Sequence, residues 1–63
     1  MKTHYRGHDI VVHAAGDWSA EIINASSGKT WSQRPSVALE DGPEACARRA
    51  KNLVDAYLAL REG

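Results

Sequence analysis

The sequence predicts an α+β domain: a three-stranded antiparallel β-sheet followed by one long C-terminal helix packed on one face, in the order β-β-β-α. Three observations carry this reading. β-Branched residues gather in the first half of the chain, at Ile10-Val11-Val12 and Ile22-Ile23. Turn-forming clusters, Ala15-Gly16-Asp17 and Ser26-Ser27-Gly28, divide that half at hairpin spacing. From Pro43 onward the chain turns Ala- and Leu-rich with helical periodicity. The 63 residues therefore form a single small domain, 1–63, with the sheet over 3–33, a connection over 34–42 and the helix over 43–61.

The first strand is expected over Tyr5 to Ala14, where β-branched residues concentrate and no helix signal competes. Gly16 and Asp17 suit the positive φ of a tight turn. Trp18 to Asn24 then alternates as a half-buried strand does, so that Trp18, Ala20 and Ile22, with Ile10 and Val12, face the helix. Lys29 to Gln33 is a modest third strand, closed by Pro35. Ser36-Val37-Ala38-Leu39 reads either as a fourth strand or as a crossing to the helix, and is assigned to the connection.

Helix onset has the clearest local chemistry. Asp41 is the expected cap, Pro43 suits a first turn whose N–H groups are not needed, and Glu44 complements the positive dipole end. At one hundred degrees per residue, Cys46, Ala50, Leu53, Tyr57 and Leu60 fall on one stripe with Val54 beside it, opposite Arg48, Lys51, Asn52 and Asp55. That stripe is expected to be the core face, and Leu53→Ala is expected to cost about 2 to 5 kcal/mol.

At this length a chain buries only about 60% of its unfolded surface. Small domains add disulfides, a metal or a second subunit, and the lone Cys46 excludes an internal disulfide. Eight basic residues balance eight acidic ones, whereas dedicated nucleic-acid binders carry a positive excess. Nucleic acid is thus an unfavoured partner. The opening Met1-Lys-Thr-His-Tyr5 lacks an apolar targeting core and no apolar run approaches a bilayer span, so a cytoplasmic protein without a membrane partner is expected.

The Tyr5-Arg-Gly-His-Asp-Ile10 opening, the Trp18 strand, the Gly turn and a helix running from Pro43-Glu-Ala45 to Val54-Asp-Ala-Tyr57 resemble a set of small bacterial proteins of unknown function. Those chains share a Tyr-x-Gly-x-x-Ile strand start and an Ala-rich C-terminal helix. The resemblance spans most of the chain, rests on packing motifs, and implies the sheet-plus-helix fold without an activity. A more distant likeness is to HicB-like antitoxin domains, which also set a short antiparallel sheet before a helix opened by Glu-Ala. Their Pro-x-x-x-Gly-Cys segment between sheet and helix has no counterpart here.

Candidate chemistry is sparse. His4, His8 and His13 with Cys46 include ligand types that soft and borderline metals favour, but they show no ligand-pair spacing. They read as surface or turn histidines of a β-ribbon. Cys46 falls on the core stripe, where a free thiol behaves as a small hydrophobe rather than a nucleophile. No catalytic, cofactor or metal residue is therefore assigned, and an enzyme is not expected.

Two surfaces remain. One is the open sheet face, where Val11, Ile23 and Trp31 are expected to form an apolar patch that one helix cannot cover. It suits a homodimer or another protein partner. The other is a basic set, Arg6, Lys29, Arg48, Arg49 and Lys51, which would serve a small nucleic-acid-associated or antitoxin-like regulatory module. Interleaved acids at Glu40, Asp41, Glu44 and Asp55 weaken its field. The resulting expectation is a non-enzymatic binding or interaction module, self-associating or protein-binding through the open sheet face, with no small-molecule ligand.

Overall fold

Four strands, not three, make the sheet in the computed structural model of the protein, which describes residues 1–62. They are β1 (Lys2–Tyr5), β2 (His8–Ala14), β3 (Trp18–Asn24) and β4 (Ser36–Val37). A short 3₁₀ turn, Leu39–Asp41, leads to helix α1 (Pro43–Glu62). The sheet is an antiparallel meander in the order β1-β2-β3-β4.

The additional strand comes from a break in what the sequence presents as one long strand. Tyr5 pairs with His8 across a two-residue turn, in which Arg6 (φ 48°) and Gly7 (φ 80°) both take positive φ. Such a turn matches the twist of the flanking strands and ordinarily uses Asn-Gly or Asp-Gly. Arg6 is an uncommon first member, and this disguises the hairpin. Met1 extends the ladder, its N-terminal amine donating to the Val12 carbonyl at 2.9 Å.

The other edge corrects both the expected third strand and the expected connection. Thr30 forms an isolated bridge with Ile23, and the Trp31 N–H donates to the Ile22 carbonyl at 2.7 Å. Pairing then stops and resumes at Pro35, whose carbonyl accepts from the Ala20 N–H at 2.9 Å, and continues through Ser36 and Val37. Pro35 has no N–H to return to Ala20, so the ladder is interrupted there. The register on the two sides differs by two residues, which accommodates an outward detour around Ser32 to Arg34. An even shift preserves the facing of side chains, and Trp31 therefore emerges on the same side as Ile22.

That inner side holds the core. Ile10, Val12, Ala20 and Ile22 from the sheet meet Cys46, Ala47, Ala50 and Val54 from α1, all buried. Small residues on the helix side let the helix axis lie close to the sheet. Trp18 packs at the margin, as expected of an inner-face residue, with its indole N–H donating to the Leu39 carbonyl at 3.2 Å. Asp41, the expected cap, instead closes the 3₁₀ turn, and Gly42 (φ 87°) precedes Pro43.

The helix register is rotated from the expected stripe. Cys46 and Ala50 are buried as expected, but Ala47 and Val54 complete the contact face and Leu58 packs against it. Leu53 is only half-buried, Tyr57 is 37% exposed and Leu60 is 83% exposed. A twenty-residue helix is about 30 Å long and a seven-residue strand about 23 Å. The C-terminal turns of α1 accordingly outrun the sheet.

Candidate interaction groove

Trp31 lies on the helix side of the molecule, not on the open sheet face expected from the sequence. Its ring meets Tyr57 of α1 at 5.0 Å between centroids and His8 of β2 at 5.4 Å, and His8 meets Tyr57 at 6.1 Å. All three contacts are edge-to-face, the favoured geometry for such rings. His8 is 3% exposed, which corrects its assignment as a surface or turn histidine. Its Nδ1 donates to the Arg6 carbonyl at 3.1 Å, while Nε2 has no hydrogen-bond partner. The imidazole thus acts as an aromatic spacer supporting Trp31 and Tyr57 from below.

Above that layer opens a groove of about 610 Å³ between the C-terminal half of α1 and the segment after β3. Leu53, Tyr57 and Leu60 form the helical wall, Trp31 the floor and opposite side, and Lys29 and Gln33 the polar rim. The loop wall is held by its own hydrogen bonds. Asn24 Oδ1 accepts from the Ser26 and Ser27 N–H groups at 2.9 and 3.1 Å, and the Gly28 N–H donates to the Asn24 carbonyl at 2.8 Å. This local Asn chemistry is common in turns. At the rim, Arg61 stacks over the Tyr57 ring at 5.6 Å and donates to its hydroxyl at 3.2 Å.

The open sheet face is more polar than expected. Val11 and Ile23 do share it, both half-buried, but they are diagonal neighbours rather than partners. Val11 stands between Lys2 and Glu21, and Ile23 stands opposite Asp9, which accepts from His4 Nδ1 at 2.9 Å. That hydrogen bond, helped by the charge of Lys2, holds the Asp9 carboxyl below its ordinary range.

The basic residues fall in three places. Arg6 donates to Asp55 at 2.8 Å, and Lys51 sits 5.5 Å above the Tyr5 ring. Tyr5 also donates to both Asp55 oxygens, at 2.8 and 3.0 Å, tying the β1–β2 turn to the helix. Asp55 is held below the ordinary carboxylate range by Arg6 first and Tyr5 second, and Asp55 in turn pushes the Tyr5 phenol up. Arg48 and Arg49 border a second, smaller depression together with Asp41. Lys29 stands apart on the groove rim.

Cys46 is fully buried, its Sγ donating weakly to the Trp18 and Pro35 carbonyls at 3.5 and 3.6 Å. Burial, with the charge of Asp17, pushes the thiol up and keeps it neutral. Among the described residues no three His, Cys, Asp or Glu side chains converge as a metal site requires, and no helix is long and apolar enough to cross a membrane.

No family model, curated protein or solved structure matches the chain. Trp31, which lines the groove, and His8, buried beneath it, carry little signal in the sequence, because their facing depends on the Arg6-Gly7 turn and on the interruption at Pro35. Tyr57 and Leu60 are legible in the sequence as apolar stripe members, but the stripe alone points them to the core.

Proposed function

We propose that the protein is a non-enzymatic interaction module that binds an apolar protein segment in the groove formed by Trp31, Leu53, Tyr57 and Leu60. The observation that carries this reading is Leu60. It is 83% exposed at the lip of a groove lined by two aromatic rings, Trp31 and Tyr57, so the fold builds an apolar surface and leaves it uncovered. Contiguous apolar surface with a polar rim is characteristic of association sites. The sheet face around Val11 and Ile23 offers less, since charged partners interrupt it.

The non-enzymatic part of the reading is supported by Cys46, whose thiol is fully buried against the Trp18 and Pro35 carbonyls. The nucleic-acid or antitoxin-like alternative draws on Arg6, Lys29, Arg48, Arg49 and Lys51. The dispersal of those residues, with Arg6 engaged by Asp55, gives it less support. The resemblance to small bacterial proteins and to antitoxin domains transfers no activity.

Position-specific photo-crosslinking in the native cell tests the reading. A photoreactive residue replacing Leu60 should give crosslinked protein, and the same residue replacing Ile23 or Arg48 should give little. Strong products from position 23 would move the interaction to the sheet face, and nucleic-acid adducts from position 48 would favour the alternative.

A further inference from the structure

The hydrophobic stripe of α1 forks. As far as Ala50 the face turned to the sheet is Cys46, Ala47 and Ala50. Beyond it one branch continues under the sheet as Val54 and Leu58, at four-residue steps. The other runs along the groove, from Leu53, which still packs against the core, through Tyr57 to the exposed Leu60. From Leu53 this branch steps four and then three residues, the spacing of one helix face, along which a second helix can lie. Ala56, exposed and lining the same groove, provides the small side chain that lets two such helices approach.

Resting on the groove being an interaction surface, we infer that its occupant is a second copy of this chain, paired antiparallel through the C-terminal half of α1 about a two-fold axis near Ala56 and Tyr57. In this arrangement Leu53 of each copy meets Leu60 of the other, so that the exposed Leu60 enters the other copy's groove beside Trp31. A two-fold interface requires this reciprocity, and one surface carries both the projecting side chain and the recess that receives it.

Charge selects the direction. A parallel pair would set Arg61 against Arg61. The antiparallel pair sets Arg61 opposite Asn52 and opposes the two helix dipoles.

A stable interface takes about 800 Å² from each partner, roughly a fifth of the 4048 Å² exposed here. Two to three turns of helix and one groove wall supply less, which places the pairing among weak, transient encounters.

Sedimentation equilibrium on the purified full chain tests this. The mass should rise from 6.9 kDa toward twice that value as concentration increases from micromolar to millimolar. Leu60→Lys should hold it at the monomer value. Because Leu60 is largely exposed, that variant should keep the parent's circular dichroism spectrum and melt.

Geometry is read from single-cysteine additions under mild oxidation. About the proposed axis, Ala56→Cys stands beside its own copy and should form a disulfide-linked dimer. Asn52→Cys is displaced from its counterpart by about 13 Å along the helices, beyond disulfide reach, and should not. Dimers from Asn52→Cys would overturn the antiparallel pairing. A monomer at every concentration would overturn the self-association. In that case a crosslink from position 60 to a different protein would preserve the groove as an interaction surface, and no crosslink from position 60 would dismiss both.

Discussion

Leu53 and Val54 are adjacent in sequence and opposite in consequence. The periodic stripe favours Leu53 as the core residue, yet the sheet covers Val54 completely and leaves Leu53 half-exposed at the groove. Deleting a fully buried branched side chain forfeits its transfer energy and leaves a cavity, whereas a groove residue loses only part of its contacts. Val54→Ala should therefore cost about 2 kcal/mol and Leu53→Ala about 1 kcal/mol. Chemical denaturation of the two variants, read with the parent, checks the order. A larger loss at Leu53 would restore the register expected from the sequence and contradict the observed one. His8 shows the same lesson from the other direction. A polar residue next to a glycine reads as surface, but strand parity within β2 carries it inward with Ile10 and Val12, where Trp31 and Tyr57 surround it.

At the scale of elements, the helix, β3 and the Gly16 turn were legible because each has a strong local cause: a Pro-Glu onset with alanine-rich periodicity, an alternating half-buried run, and a glycine at φ 86°. The strands at the two sheet edges were not. The β1–β2 break uses Arg where Asn or Asp is usual, and β4 follows an interruption whose cause, the missing N–H of Pro35 opposite Ala20, becomes apparent only once the pairing partner is known. The Tyr5–Asp55–Arg6 cluster was likewise hidden, since it joins residues fifty positions apart.

That cluster makes a pH prediction. Asp55 and Asp9 have depressed folded values, so their stabilisation is present above the ordinary carboxylate range and is lost as pH falls through it, below about pH 4. Cys46 and Tyr5 are raised, so stability is intact below their ordinary values and is lost as pH rises past about 9. Thermal melts should show a plateau between about pH 5 and about pH 8. Asp55→Asn should lower the plateau and flatten its acid side, whereas an acid side of unchanged steepness would show that Asp55 does not couple folding to protonation.

The whole molecule is elongated, 35 Å along its longest axis and 18 Å along its shortest, because a long helix is laid on a short sheet. One face of that helix is fully used by the core. The overhanging part is not, and the Trp31 and Tyr57 rings meet beside it at the margin of the core. A chain this small gains most by enlarging its apolar interior, and pairing copies of itself is a direct way to do so. The central claim, that association occurs at the groove, is tested most directly by recording ¹⁵N–¹H NMR spectra of the full chain over a dilution series. The account predicts concentration-dependent shifts centred on the Trp31 indole, Leu53, Tyr57 and Leu60, with Val11 and Ile23 unmoved. Shifts centred on Val11 and Ile23, or spectra that do not change with concentration, would contradict it.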